Sequence, residues 1–385
     1  MQLPVYLDHS ATTPVASEVL QAMLPFLERA YGNPSAIYTL GQEAREAVER
    51  AREQVARLVN ADADEVFFTS GGTESDNWAI KGVARAWGER KNHLITTPIE
   101  HHAVLEACEA LREMGWEITF VPVDGTGLVD PDDVRRAITP RTGLITVMHA
   151  NNEVGTVEPI AEIGAIARGH GIPFHTDAVQ TVGRVPVDIE VLNADLLTIS
   201  AHKLYGPKGV GALIVRRGTP IRPLLDGGGQ ERGRRGGTYN VPGIVGLGAA
   251  AERAMRTGAE ETERIRSLRD RLVAGIMERV PDAILTGHPV QRLPNNAHIA
   301  FADVEGESLV LSLDAVGIYC SAGAACSSGD AEPSHVLVAM GIEPRLIEGS
   351  VRFTLGKDNT EEQIDYTIEQ VARAVQKLRS LRVRA

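Results

Sequence analysis

The sequence predicts an α/β fold: a mostly parallel sheet covered by helices, followed by a smaller α+β unit. Three observations predict it. From Val66 to about Leu213, apolar or β-branched runs of strand length alternate with helix-length amphipathic stretches, as repeated βαβ units require. Beyond the glycine cluster LLDGGGQERGRRGGTYN this alternation gives way to a long helical pattern and then to mixed elements. Finally, 385 residues with 43% apolar content exceed what one hydrophobic core ordinarily serves.

Each element can be read in order. EVFFTS is a strand followed by a helical pattern, HLITT a strand followed by the helix AVLEACEALREMG, and EITFVPV a further strand. GLITVMHA precedes the helix PIAEIGAIARGHG, and IPFHTDA, ADLLTISA and VGALIV read as strands. A connector helix starts near VPGIVGLGAAAERAM and continues through ERIRSLRDRLVAGIMERV, where i,i+4 charge pairs mark a solvated face. The last third reads as strand (NNAHIAFADV), helix (GESLVLSLDAVG), a cysteine stretch, helix (PSHVLVAMG), strand (GSVRFTLG) and helix (TEEQIDYTIEQVARAVQKLRSL). Alternation in GSVRFTLG puts Val351, Phe353 and Leu355 on one face and Arg352 and Thr354 on the other.

Composition excludes several classes. A formal net charge of −12 disfavours nucleic acid and anionic membranes as general partners. No apolar run approaches bilayer-spanning length, and MQLPVYLDHSATTP lacks the basic and apolar regions of a signal peptide, so the expected compartment is the cytoplasm. Three cysteines, Cys108, Cys320 and Cys326, are too few for a disulfide framework and suit free thiols. No C-x-x-C or H-E-x-x-H spacing occurs, so no resident metal is expected.

In an open parallel sheet, ligands bind beyond the carboxyl ends of the strands. Four strand ends are informative. Ser70, Gly71, Gly72 and Thr73 form a small-residue turn opening a helix, which suits a phosphate or is simply a tight turn. Asp177, with Gln180 one turn later, could hold a protonated ring nitrogen or a metal, or cap a helix. Lys203 follows an apolar run ending in Ser200, Ala201 and His202, and desolvation there lowers a lysine's pKa and frees its amine for imine chemistry. His101, at the start of a helix, could stack on a planar cofactor and carry protons. Together these are the anchor, pyridinium partner, imine-forming amine and stacking group of a pyridoxal phosphate (PLP) site.

At these residues the sequence resembles the cysteine desulfurases of the NifS/IscS type, members of the fold type I PLP enzymes. TSGGTESDN, EHHAVLEAC, HANNEVG, HTDAVQ, SAHKLYGPKG, GGGQERGRRGGT and AACSSG followed by EPSHVL carry the resemblance from YLDHSATTPV to VRFTLG. It implies a seven-stranded sheet in a large domain (15–255) and a small domain (1–14 and 256–385). Lys203 would bind PLP covalently, His101 would stack and move protons, Asp177 would pair with the ring nitrogen and Gln180 would contact the ring oxygen. Gly72, Thr73, Ser200 and His202 would hold the phosphate, with Thr238 reaching in from a second subunit of a homodimer. Asn152 and Arg352 would fix the carboxylate of L-cysteine, and Cys326, on a mobile loop, would take its sulfur as a persulfide. The partner implied is a sulfur acceptor such as an iron–sulfur scaffold protein, with tRNA thiolation a second destination and transient iron–sulfur contact at Cys326 the one metal role left open.

Two departures stand out. YLDHSATT replaces the family's YLDNNATT, and Ala322 and Ala324 stand where serines are common. Cys320 is extra: a small core residue in the favoured reading, with a disulfide to Cys326 or sulfur relay as alternatives. Other readings of the whole are a small-amino-acid aminotransferase, a selenocysteine lyase, a kynureninase, or a catalytically silent sulfur-carrier partner.

Overall fold

Apolar residues on both faces of each strand demand cover on both sides, and the fold supplies it. A computed structural model describes residues 3–322 and 333–382. Its main sheet has seven strands in the spatial order Val66–Thr69, Gly211–Val215, Leu196–Ser200, Phe174–Asp177, Thr142–Thr146, His93–Thr96, Glu117–Phe120. The last five pair in parallel, while Gly211–Val215 runs antiparallel to both its neighbours.

Strand alternation divides the core. Phe68, Ile95, Ile145, Leu197, Ile199 and Ile214 join one apolar cluster, whereas Phe67, Leu94, Leu144, Leu196 and Leu213 join another with Trp78 and Leu111. Helices Gly72–Trp87 and His102–Glu113 contribute to the second cluster, and helix Ile160–Gly169 to the first. The first cluster is also covered by Thr39–Leu58, a helix N-terminal to the predicted alternation.

A four-stranded antiparallel sheet orders Ser321–Ala322, Ser350–Thr354, Asn296–Phe301 and Ala283–Leu285. The connector helix is continuous over Val241–Arg279. Its first half buries Val241, Ile244, Leu247 and Ala251 in the large core; its second buries Ile265, Leu268, Leu272 and Ile276 beside Phe301 and Phe353. The chain's start belongs with that second core, through Val5 and Leu7 and a parallel pairing of Val5–Tyr6 with Ile318–Tyr319.

Most predicted elements stand, with shorter bounds. EITFVPV is a strand only over Glu117–Phe120, since Pro122 cannot donate to a ladder. PSHVLVAMG narrows to a helix over His335–Ala339, capped by Ser334. The helix Pro344–Glu348 and the strand Ala283–Leu285 are too short for periodicity to reveal. No described helix is long and apolar enough to cross a membrane.

Candidate active site

The carboxyl ends of the parallel strands open into a cavity of about 290 Å³ lined by Ala11, Gly72, Thr73, Asp76, His101, Met148, Asn152, Asp177, Val179, Gln180, Ser200, His202 and Lys203. Larger hollows elsewhere lack this concentration of chemistry, so the lining rather than size singles this one out. Among the described residues no cluster of three His, Cys, Asp or Glu side chains could hold a metal ion.

The phosphate-type turn is built as its sequence suggests. Gly71 sits at φ +152°, a backbone that side-chain-bearing residues rarely adopt, and the helix begins at Gly72 with no side-chain cap. Its first N–H groups and positive dipole end therefore remain available to an anion. A Cβ added at Gly72 would come within 3.1 Å of Val179 Cγ2, so the residue is small where the wall is close. Glu74 folds back on the turn, its Oε2 accepting from Ser70 N–H at 2.8 Å, and its charge is offset by a two-pronged bond from Arg235 (2.8 and 3.0 Å).

Lys203 ends a short 3-10 turn directly after the strand Leu196–Ser200. Its Nζ donates to the backbone oxygens of Ser10 and of Ala11, the latter at 2.8 Å. Both acceptors are neutral, so burial, reinforced by the nearby Arg184 and Arg352 cations, pulls the ammonium down to about 7. A large fraction of Lys203 is thus an unprotonated amine near neutral pH.

Asp177 ends its strand and opens a turn, not the helix that the capping reading required. Its Oδ1 accepts from Val179 N–H at 2.9 Å, while its carboxylate lines the cavity. Beneath it lies Asp76, buried, with Oδ1 unpartnered and 3.6 Å from His175 Nε2. Burial, and then the neighbouring Asp177 charge, drive Asp76 well above the usual carboxylate range. Burial raises Asp177 as well, to about 6, so the pair holds a proton more tightly at Asp76 than at Asp177.

His101 caps helix His102–Glu113 by accepting from Ala103 N–H at its Nδ1, 3.1 Å away. In the neutral ring the proton then sits on Nε2. Although His101 is open to the cavity, the protein around it, followed by the Lys203 charge, holds its imidazole down to about 4. Gln180 donates to Ser10 O at 3.1 Å, and His202 pairs with Thr12 Oγ1 at 3.1 Å.

Arg352 lies outside the cavity's lining but touches it through Asn152, whose carbonyl accepts from Nη1 at 3.0 Å. Its Nη2 donates to Asp8 Oδ1 at 2.8 Å. Thr238 is exposed and does not line this chain's cavity, and Cys326 lies outside the described residues. Cys320 packs half-buried against the second core with a free thiol, and crowding pushes it up to about 12; Cys108 is buried and likewise held at about 12.

Sequence reasoning missed Asp8, Ser10, Ala11, Asp76 and Glu153. Asp76 follows TSGGTES by one residue, and its position one helical turn after Gly72 and Thr73 was the available signal. Glu153, in HANNEVG, accepts from Ser334 Oγ at 2.5 Å and ties down the chain just after the undescribed stretch. Nothing local marks Asp8 to Ala11, whose partners in the site, Gln180, Lys203 and Arg352, are 170 or more residues away.

The class-V aminotransferase family model matches residues 5–367. Cysteine desulfurase IscS of Dictyoglomus turgidum is 52% identical over 381 residues, covering 99% of this chain and 97% of the relative. The chain belongs to the cysteine desulfurases of the class-V aminotransferase family. Cysteine desulfurase IscS of Methanosarcina thermophila is 53% identical over 377 residues, 98% of this chain and 93% of the relative. Among solved structures, a NifS-like protein superposes with TM-score 0.92 at 41% identity, covering 97% of this chain and all of the other. SspA in complex with cysteine superposes at 0.80 with 37% identity, over 92% of this chain and all of the other.

This desulfurase family is PLP-dependent, and the residues present fit that group. An uncapped helix start, Ser200 and His202, the Asp177 carboxylate and a lysine amine lowered to about 7 line one cavity.

Proposed function

We propose that this enzyme converts L-cysteine to L-alanine and passes the sulfur onward as a persulfide on Cys326. The observation that carries this reading is the convergence of Lys203, Asp177, His101 and the Gly72–Thr73 turn on one cavity, beside an arginine suited to a carboxylate.

Gly72, Thr73, Ser200 and His202 would hold the cofactor's phosphate, Asp177 its ring nitrogen and Gln180 its ring oxygen, with His101 stacked on the ring. When bound, PLP supplies an electron sink for amino-acid bond cleavage. Lys203 would hold it through Nζ, and its amine would serve as the base that takes the substrate's α-proton. Arg352 and Asn152 fix the α-carboxylate so that this proton faces Nζ. His101 exchanges protons through Nε2, because Nδ1 is engaged by the cap.

Cys326 Sγ, as thiolate, attacks the substrate sulfur. An S–S bond forms, the substrate's Cβ–S bond breaks, and a proton delivered to carbon completes alanine. Cys108 and Cys320, held at about 12, are thiols at neutral pH, which supports Cys326 as the nucleophile. The sulfur then goes to an acceptor protein, an iron–sulfur scaffold or a tRNA-thiolation carrier.

The assembly proposed is a cytoplasmic homodimer, with Thr238 of the partner subunit at the phosphate. Support comes from helix Ser17–Glu28, of which Val19 is the one fully buried residue while Leu20 and Leu27 are exposed, and from Ile37, 87% exposed nearby in sequence. Each chain divides into a large domain (15–255) and a small one (1–14 and 256–385), joined within the long helix.

The test is alanine formed from L-cysteine under a reducing thiol. Wild type should produce it and Cys326→Ala should not; equal production by both would remove Cys326 from the reaction.

A further inference from the structure

The proposed substrate anchor already has a tenant. Arg352 Nη2 donates to Asp8 Oδ1 at 2.8 Å and Nη1 to Asn152 O at 3.0 Å, while Nε is buried and has no hydrogen-bond partner among the described residues. Both charged side chains are mostly shielded from solvent, 11% exposed for Arg352 and 21% for Asp8. An incoming carboxylate therefore meets a cation that Asp8 has largely neutralised, and has to compete with Asp8 for the guanidinium N–H groups.

The backbone at Asp8 is held in place, so only its side chain can turn from Arg352. Its own carbonyl accepts from Tyr6 Oη at 3.0 Å, and its neighbours are tied to the strand carrying Arg352: His9 N to Thr354 O at 3.2 Å and Ser10 N to Thr354 Oγ1 at 2.9 Å. Past these ties, the same strap offers the backbone oxygens of Ser10 and Ala11, which hold the Lys203 amine. The wall beside Arg352 is thus an aspartate followed by carbonyl acceptors. It welcomes an ammonium and repels a second anion.

We propose that Asp8 sets the charge of the amino acid accepted here: it holds Arg352 until an α-carboxylate takes over, and it repels substrates whose side chain brings another acid. This rests on Arg352 being the carboxylate anchor. Amino acids with neutral side chains, cysteine among them, are admitted; aspartate and cysteine sulfinate are disfavoured by like charge at short range.

The experiment measures binding of L-alanine and of L-aspartate to the PLP-loaded enzyme, by titrating the cofactor's absorbance, in wild type, Asp8→Asn and Arg352→Ala. Asp8→Asn should tighten L-alanine about threefold, by removing the competitor, and L-aspartate about twentyfold, by also removing the repulsion. Arg352→Ala should weaken both. If Asp8→Asn leaves both affinities unchanged or weakens both while Arg352→Ala weakens them, Asp8 is only a brace and the proposal falls. If Arg352→Ala leaves L-alanine binding intact, the anchor itself is misassigned and the proposal falls with it. Asp8→Ser, which removes the charge with a smaller side chain, must reproduce the order of affinities should the asparagine variant fold poorly.

Discussion

Two parts of this molecule meet at the active site and differ in how they build it. The seven-stranded sheet presents its groups at the ends of parallel strands, each within a few residues of the apolar run that positions it: Thr73 after Val66–Thr69, Asp177 at the end of Phe174–Asp177, Lys203 just past Leu196–Ser200. The four-stranded sheet and the N-terminal strap instead work through distant pairs, Arg352 with Asp8 and Lys203 with Ser10 and Ala11. The groups of the first region, to which the proposal gives the cofactor, are positioned by local order. Those of the second, to which it gives the substrate, are assembled by folding.

That division makes unequal predictions for the two sides. The largest effect belongs to the sheet: Lys203→Ala should lower alanine formation by about 10⁴-fold and abolish covalent attachment of PLP, read by absorbance after removal of free cofactor. Arg352→Lys tests the other side. It should raise the KM for L-cysteine roughly thirtyfold, because a point charge replaces a fork, while cofactor loading stays as in wild type. An equal loss of loading would erase the distinction between the regions.

The smallest effect is a pH dependence. Burial and the Arg184 and Arg352 charges hold Lys203 down to about 7, below its usual value. The reactive amine is the deprotonated form, so its fraction rises as pH passes upward through about 7. Capture of PLP by the apoenzyme should accelerate up to that range and level off above it. A rate still climbing steeply far above pH 7 would show an ordinary, solvated lysine.

The same contrast explains what could be read from the sequence. Strand, turn and helix-start signals lie next to one another in the chain, so IPFHTDA and LLTISAHK disclosed both an element and the group at its end. Arg352 was legible as a strand residue on the face opposite Val351, Phe353 and Leu355, but its pairing was not, because Asp8 is brought to it by a strap 344 residues earlier. Asp76 was hidden differently. It reads as one more acid on an acidic helix, and only three-dimensional burial beneath Asp177 turns it into a proton-holding carboxyl. Cys320 illustrates burial again: beside Cys326 in sequence, it is packed against the second core and held as a thiol.

The most direct test of the account is to react the PLP-loaded enzyme with L-cysteine in the absence of reductant, digest it and locate added sulfur by mass spectrometry. The account predicts one extra sulfur atom on the peptide carrying Cys326, with the peptide carrying Cys108 unmodified and, in Cys326→Ala, no transfer to Cys320. Sulfur recovered on Cys320 in that variant, or none on Cys326 while alanine accumulates, would contradict it.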